Sequence, residues 1–258
     1  MRKIALLSLA TLALAACTSG TNESTTKEKT TVEQAQEVID QSISFHGLHV
    51  LDNAEFSLTF RERAYTYKNE KGRYEYTRTQ TDSTGAVVKD ILNNLGFARY
   101  IDDVKAELNE ERTGAFTRSV NSVIYFFRLP YGLNDEAVNK TYLGTADIKG
   151  KTYYEVRVTF EQEGGGEDFD DVFLYWFDTE DYSMDYMAYL YHTDGGGMRF
   201  REAINQRTVD GAVVQDYINM RPEDEKIDIM TIDELYEAGE LRVLSEIINE
   251  DIQIKAYQ

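Results

Sequence analysis

Two segments in the second half of the chain are apolar at every position of a predicted β-strand, which constrains the fold more than any other feature. Residues 172–177 and 186–191 contain no charged side chain. Successive side chains of a strand point to opposite faces of its sheet. Both faces of these strands must therefore be covered. We expect helices, or another apolar filler, to lie against the second face.

Alternation of apolar and polar residues predicts further strands with one buried face. Residues 56–60 and 154–160 show this period of two. Asp210-Gly211 predicts a tight hairpin turn between two later strands. The stretch 87–100 does not alternate clearly, and its strands cannot be placed. Residues 241–254 are interpreted as one last strand.

Helical signals occur at three places. Thr31 and Gln34 fit a capping box at the start of a helix that runs to His46. Apolar residues at steps of four, three and four predict a second helix over 116–129, which Pro130 would end. A shorter helix is predicted between residues 231 and 239.

The N-terminus carries an export signal. A basic start precedes an uncharged run from Ile4 to Ala16, shorter than the roughly 20 residues of a membrane span. Small residues directly before Cys17 look like the bacterial lipobox, at which the cysteine is acylated. We predict a signal peptide over 1–16, a lipidated disordered tether over 17–30 and a single domain over 31–258, with a C-terminal extension from about 223. A plain secretory signal beside a chance cysteine is the alternative.

Charge and cysteine content exclude several classes of protein. The chain has 46 acidic and 27 basic residues, a net charge of −19. Such a surface repels phosphate backbones and anionic lipids, so we expect no nucleic-acid partner and a membrane contact made only by acyl chains. Cys17 is the only cysteine, which excludes an internal disulfide and a thiolate metal cluster.

Aromatic residues of the two apolar strands are candidate ligand contacts. The predicted set is Phe173, Tyr175, Trp176, Tyr189 and Leu190. Taken one at a time, each is more typical of core packing. As a group they favour an apolar ligand in the space that the sheet must enclose.

Three arginines separated by even numbers predict a basic stripe on one strand face. Arg199, Arg201 and Arg207 could contact a phosphate or carboxylate headgroup. Ordinary pairing is the favoured interpretation, because the predicted hairpin puts Arg207 opposite Val214 and within reach of Asp216.

Metal sites and catalytic motifs have weak support. His46 and His49 are spaced for two ligands on a helix, but Gly47 between them favours a surface or turn pair. The acidic loop 161–171 lacks the spacing of a calcium loop. No nucleophile elbow and no phosphate-binding glycine loop occurs. We expect a protein without cofactor, metal or catalytic residues. A hydrolase using acidic residues of the loop is a less favoured hypothesis.

The order of these features resembles a known superfamily. An acylated cysteine, a tether and a helix precede strands, and the mid-chain helix ends Phe126-Phe127-Arg128-Leu129-Pro130. Over about 32–220 this pattern is similar to the outer-membrane lipoprotein-sorting proteins of the LolA, LolB and LppX type, closest to uncharacterised members. The resemblance implies an α+β fold in which a strongly curved antiparallel sheet, an open half-barrel, wraps around two or three helices.

The resemblance also implies a function. We expect a non-catalytic lipoprotein that binds a lipid or other apolar ligand in the concave face. It would be anchored to the outer membrane with its body in the periplasm, or at the cell surface. The alternative is a structural lipoprotein that presents its acidic surface to a protein partner in the cell envelope.

Overall fold

Two antiparallel sheets of seven strands each make up most of the protein. The computed structural model describes residues 29–163 and 169–257. The strands are β1 Asn53–Phe60, β2 Arg63–Glu70, β3 Arg73–Thr81, β4 Val87–Asn93, β5 Gly96–Ile101, β6 Val104–Lys105, β7 Val138–Ile148, β8 Lys151–Phe160, β9 Val172–Asp178, β10 Met184–Tyr191, β11 Gly197–Val209, β12 Ala212–Pro222, β13 Leu241–Ile247 and β14 Glu250–Ala256. The first sheet has the order β14-β1-β2-β3-β4-β5-β6, and the second has the order β13-β12-β11-β10-β9-β8-β7.

Three α-helices accompany the sheets in the described residues: α1 Thr31–His46, α2 Glu110–Arg128 and α3 Ile232–Glu237. The capping box of α1 begins one residue earlier than predicted, with Thr30 as the cap and Glu33 as its partner. Helix α2 starts six residues before the predicted position, because the Asn109 side chain accepts a hydrogen bond from the Arg112 backbone N–H.

The predicted α+β class with an open antiparallel half-barrel is confirmed. Strand β6 is an edge strand of the first sheet and β7 is an edge strand of the second. Within the described residues these two strands do not pair with each other, so the two sheets do not close into a barrel. The single last strand predicted over 241–254 is wrong. It is two strands, β13 at one edge of the second sheet and β14 at one edge of the first, and they are separated only by residues 248 and 249. The C-terminal extension is therefore part of both sheets.

Helices α1 and α2 fill the space beside the sheets. Apolar residues of α1, including Ile39, pack on the strands β8 to β10 of the second sheet. Val120 and Ile124 of α2 pack on Phe56 and Tyr67 of the first sheet. Tyr125, on another side of α2, packs against the second-sheet cluster. Helix α2 therefore lies between the two sheets.

The outer face of the second sheet is covered by the chain's own C-terminal segment. Trp176 and Phe200 form a buried cluster with Ile229, Ile232 and Tyr236. The rings of Phe200 and Tyr236 stack with centroids 4.6 Å apart. We expected the helices predicted over 31–46 and 116–129, or another apolar filler, to cover the second face of the apolar strands. That expectation is wrong for this face, because α3 and the turn before it supply the cover.

The β11–β12 hairpin has the predicted turn at Asp210-Gly211 and a bulge that the sequence does not announce. Ile204 pairs with Asp216 and Arg207 pairs with Val214, so β11 has one residue more than β12 in this interval. The bulge reverses which face the following residues occupy. The prediction that all three arginines share one face is therefore wrong for Arg207. Its side chain lies on the opposite face of β11 from those of Arg199 and Arg201. Its predicted pairing with Asp216 is confirmed, at 3.0 Å.

Helices of the described residues are too short or too polar to cross a lipid bilayer. The predicted signal peptide, Cys17 and nearly all of the tether fall in residues 1–28, outside the described part of the chain. The glycines and two acids of the loop 161–171 fall in residues 164–168, which are likewise outside it.

Candidate functional site

A cavity of about 590 Å³ lies between α2 and the inner face of the second sheet. Cavities of this size are typical of sites for small organic ligands. Its walls come from five of the elements described above: α2 on one side, and β9, β10, β11 and β12 on the other. The ends of β1, β8 and β13 border it.

Aromatic side chains form much of the cavity wall. Phe126 of α2 lies 5.2 Å from the ring centroid of Tyr189, and Tyr189 stacks on Phe173 at 5.3 Å. Phe160 meets Phe173 edge to face at 5.7 Å. Register explains this grouping, because Phe173 and Tyr189 are direct cross-strand partners. An apolar chain placed here would contact aromatic rings.

Strand alternation divides the five predicted ligand residues into two groups. Phe173 and Tyr189 line the cavity. Tyr175 lies on the same face but is fully buried beneath α2, with its hydroxyl 3.2 Å from that of Tyr125. Trp176 and Leu190 belong to the outer-face cluster covered by α3. Phe173 and Tyr189 stay in the candidate site, whereas Trp176 and Leu190 lie on the wrong face of the sheet to reach it.

Four arginines line the cavity in this strongly acidic protein. They are Arg61, Arg118, Arg199 and Arg201, and Asp171 is the one acid among the described lining residues. Arg199 is paired with Glu225 at 3.4 Å and also donates to the Tyr191 hydroxyl at 2.7 Å. The cavity therefore combines aromatic and polar side chains in its walls, and most of its charged groups among the described residues are arginines.

Arg201 is the most deeply buried of these arginines, with 7% of its surface exposed. Its guanidinium lies 3.8 Å from the ring centroid of Phe126 and donates a hydrogen bond to the Tyr189 hydroxyl at 2.9 Å. Its Nε atom is buried without a hydrogen-bond partner in the described structure. Asn219 is the cross-strand partner of Arg201 on β12, and its side-chain oxygen is also buried without a hydrogen-bond partner in the described structure.

Two tyrosines of the cavity, Tyr125 and Tyr217, are held in their neutral form. Burial raises the pKa of Tyr217 to about 12. Burial likewise raises the pKa of Tyr125, and the hydrogen bond to Tyr175 opposes that shift only in part. Because these phenols stay protonated near neutral pH, they add no negative charge to the cavity.

The histidines do not form the metal pair that their spacing allows. His46 is buried, and its two ring nitrogens bind the Val213 carbonyl at 3.1 Å and the Met184 backbone N–H at 3.3 Å. It joins α1 to the second sheet, and its burial lowers its pKa. The expectation of a surface or turn pair is therefore wrong for His46. His192 lies between β10 and β11, 3.5 Å from Asp171. It forms a loose cluster there with Asp170, within 4.8 Å.

Sequence reasoning missed the helix side of the cavity. Residues of α2 such as Ser122 and Phe126 line it. Their spacing of four places them on one side of a helix, but no sequence signal shows that this side faces a cavity. The arginine stripe was the available signal, and pairing explains Arg207 but not Arg201.

Fold and cavity together define a class: a half-barrel with an aromatic, arginine-lined cavity. The chain belongs to a family of unknown function, DUF6503, whose model matches residues 7–249. Comparison with curated proteins finds no match.

Solved structures show similarity at low sequence identity. A LolA superfamily protein from Nitrosomonas europaea matches with a TM-score of 0.47 and 11% identity, over 87% of this chain and 94% of that one. A DUF1329 family protein from Desulfovibrio piger matches with a TM-score of 0.44 and 12% identity, over 87% and 93%. Lipoprotein LppX from Mycobacterium tuberculosis has a TM-score of 0.27 and 11% identity, over 60% and 87%. The LolA superfamily, which the sequence resembles, is thus represented among the matches.

Proposed function

We propose that this protein is an envelope lipoprotein that binds a lipid or lipid-like apolar ligand in the cavity between α2 and the second sheet. The role is binding and not catalysis. The observation that supports it is a space of about 590 Å³ lined by Phe126, Phe160, Phe173 and Tyr189. Apolar surface of this kind gains free energy when a ligand displaces water from it, about 25 cal/mol for each Å² buried.

Mass spectrometry under non-denaturing conditions tests the proposal directly. The chain from residue 17 to 258 with Cys17→Ser carries no acyl group and can be purified without detergent. We expect it to retain a co-purified lipid mass, or to bind the neutral apolar fluorophore N-phenyl-1-naphthylamine with one-to-one stoichiometry. A protein that carries no lipid and does not bind the fluorophore would contradict the proposal.

Matched substitutions locate the site. Ser122 lines the cavity from α2, so Ser122→Phe should occupy part of it and weaken fluorophore binding at least tenfold. Glu234 is exposed on α3, on the far side of the second sheet, so Glu234→Phe should leave binding unchanged. If both variants bound the fluorophore with the same affinity, the ligand site would lie outside this cavity.

The anchor is a separate part of the proposal. We propose that Cys17 is acylated and holds the protein at the outer membrane, with its body in the periplasm. Labelling of cells with an alkyne analogue of palmitate should tag the wild-type protein and not a Cys17→Ser variant. Separation of inner and outer membranes should place the tagged protein in the outer-membrane fraction. Label retained without the thiol would refute acylation at this residue.

The alternative, a structural lipoprotein with a protein partner, makes a different prediction. Its cavity would remain empty, and crosslinking in cells would capture one envelope protein in stoichiometric amount. This result, together with failure to bind the fluorophore, would replace the binding role.

A further inference from the structure

We infer that Arg201 is the binding site for the anionic headgroup of an amphiphilic ligand, a carboxylate or a phosphate, whose apolar chain lies on the aromatic wall of the cavity. This inference rests on the proposed function and specifies its ligand class. If the cavity bound only neutral apolar molecules, this inference would be wrong and the proposed binding function would still stand.

Burial of a cation without a counter-charge is the first observation. Arginine is almost never fully buried unless it is paired, because its desolvation is costly. Arg201 is 7% exposed, and no carboxylate of the described residues lies within ion-pair distance of it. Arg199 on the same face has Glu225 as its partner. An anionic ligand would supply to Arg201 the partner that Glu225 supplies to its neighbour.

The orientation of the guanidinium is the second observation. One nitrogen, Nη2, donates to the Tyr189 hydroxyl, and the guanidinium carbon lies 3.8 Å from the ring centroid of Phe126. Those two contacts fix the side chain on the cavity wall. Nε is buried without an acceptor, and Nη1 makes no hydrogen bond to another described residue. The guanidinium therefore retains donor capacity for a carboxylate or phosphate oxygen.

The arrangement of the wall is the third observation. Arg199 is the cross-strand partner of Tyr189, and Tyr189 is the partner of Phe173. Cationic and aromatic groups therefore follow each other across neighbouring strands. Arg201, two residues further along β11, reaches this row through its hydrogen bond to the Tyr189 hydroxyl. A ligand with its charged end at Arg201 would therefore place its chain against Tyr189 and Phe173.

Competition experiments on the chain from 17 to 258 with Cys17→Ser test the inference. N-phenyl-1-naphthylamine is the reporter, and dodecanol, dodecanoate and dodecyl phosphate are the competitors, below their micelle concentrations. We expect at least one anion to displace the reporter at a tenfold lower concentration than dodecanol, since a charge-assisted hydrogen bond contributes that much to affinity. The more potent of the two anions identifies the headgroup.

Two substitutions then assign the preference to Arg201. Arg201→Gln should abolish the advantage of the anions over dodecanol, measured as the ratio of the concentrations at which each displaces the reporter. Asn219→Asp keeps Arg201 but places a carboxylate on its cross-strand partner, so it should also abolish the advantage. Arg199→Gln is the matched control, and it should keep most of the advantage because that arginine is already paired. Thermal melting checks that each variant is folded.

Each outcome distinguishes failure of the proposed role of Arg201 from failure of the proposed binding function. Dodecanol as potent as the anions in the wild-type protein, or a full anion advantage in both Arg201→Gln and Asn219→Asp, would overturn the role of Arg201 while the binding function stands. Absence of binding by the reporter and by all three competitors would overturn the binding function itself.

Discussion

A carboxyl group beneath α3 should make the stability of this protein depend on pH. Glu155 lies on β8, on the outer face of the second sheet opposite Trp176 of β9. Its burial, and secondarily the nearby charge of Asp233 on α3, raise its pKa to about 7 from the usual 4.5. Burial also raises the pKa of Asp233. The neutral form of Glu155 therefore favours the folded state.

The sign and size of the effect follow from this shift. The folded protein holds the proton of Glu155 more tightly than the unfolded chain does. The contribution of protonated Glu155 to the free energy of unfolding is fully present below pH 4.5, and it is lost as the pH rises through 7. A shift of this size corresponds to about 3 kcal/mol for a fully buried group. Because Glu155 is partly accessible to solvent, we reduce the expected contribution to about 1–2 kcal/mol.

Urea unfolding at several pH values measures this contribution. Glu155→Gln cannot ionise, so its free energy of unfolding relative to the wild-type protein should increase by about 1–2 kcal/mol between pH 4.5 and pH 8. Glu246→Gln, at an exposed position of β13, is the control and should show no such change. If the difference between wild type and Glu155→Gln were constant over this range, the reasoning about burial beneath α3 would be refuted.

Three further substitutions test the packing. Asp90 is 1% exposed and pairs with two largely buried arginines of the first sheet, so Asp90→Asn should cost about 3–5 kcal/mol in urea unfolding; a loss below 1 kcal/mol would contradict this. Ile232→Ala should cost about 2–4 kcal/mol and shift the emission of the single tryptophan to longer wavelength, whereas Met230→Ala, at a more exposed position, should do neither. Gly47→Ala should lower the melting temperature, because Gly47 has a φ of +66° and an added Cβ would lie 2.7 Å from the Gly211 carbonyl oxygen; an unchanged melting temperature would show that the chain relaxes there.

Local signals explain why some elements could be predicted. Helix α1 is found within one residue because its cap and its apolar periodicity lie in the same short segment. The Asp210-Gly211 turn is found because both residues adopt positive φ, of 49° and 89°, which this residue pair favours. The strands β4 and β5 were not separated, because the turn between them contains Leu95. An apolar residue that is 97% exposed breaks the expected pattern.

Long-range packing explains the rest. Alternation shows that Phe173 and Trp176 lie on opposite faces of one strand, but it does not show which face has a free space. That depends on α3, more than 50 residues further along the chain, which covers the Trp176 side. The cavity depends on α2, which precedes β9 by more than 40 residues. A single sequence contains no signal for either contact.

The pairing of β1 with β14 has a consequence for biogenesis. Asn53 at the start of β1 and Tyr257 near the C-terminus are 204 residues apart, yet they are hydrogen-bonded. Contacts of such separation slow folding, because the intervening chain must be ordered before they form. While the polypeptide is still being synthesised, β1 has one edge without its neighbour, and exposed strand edges promote aggregation. Strand β14 therefore completes the first sheet, and that sheet cannot form in full until residues 250–256 have left the ribosome.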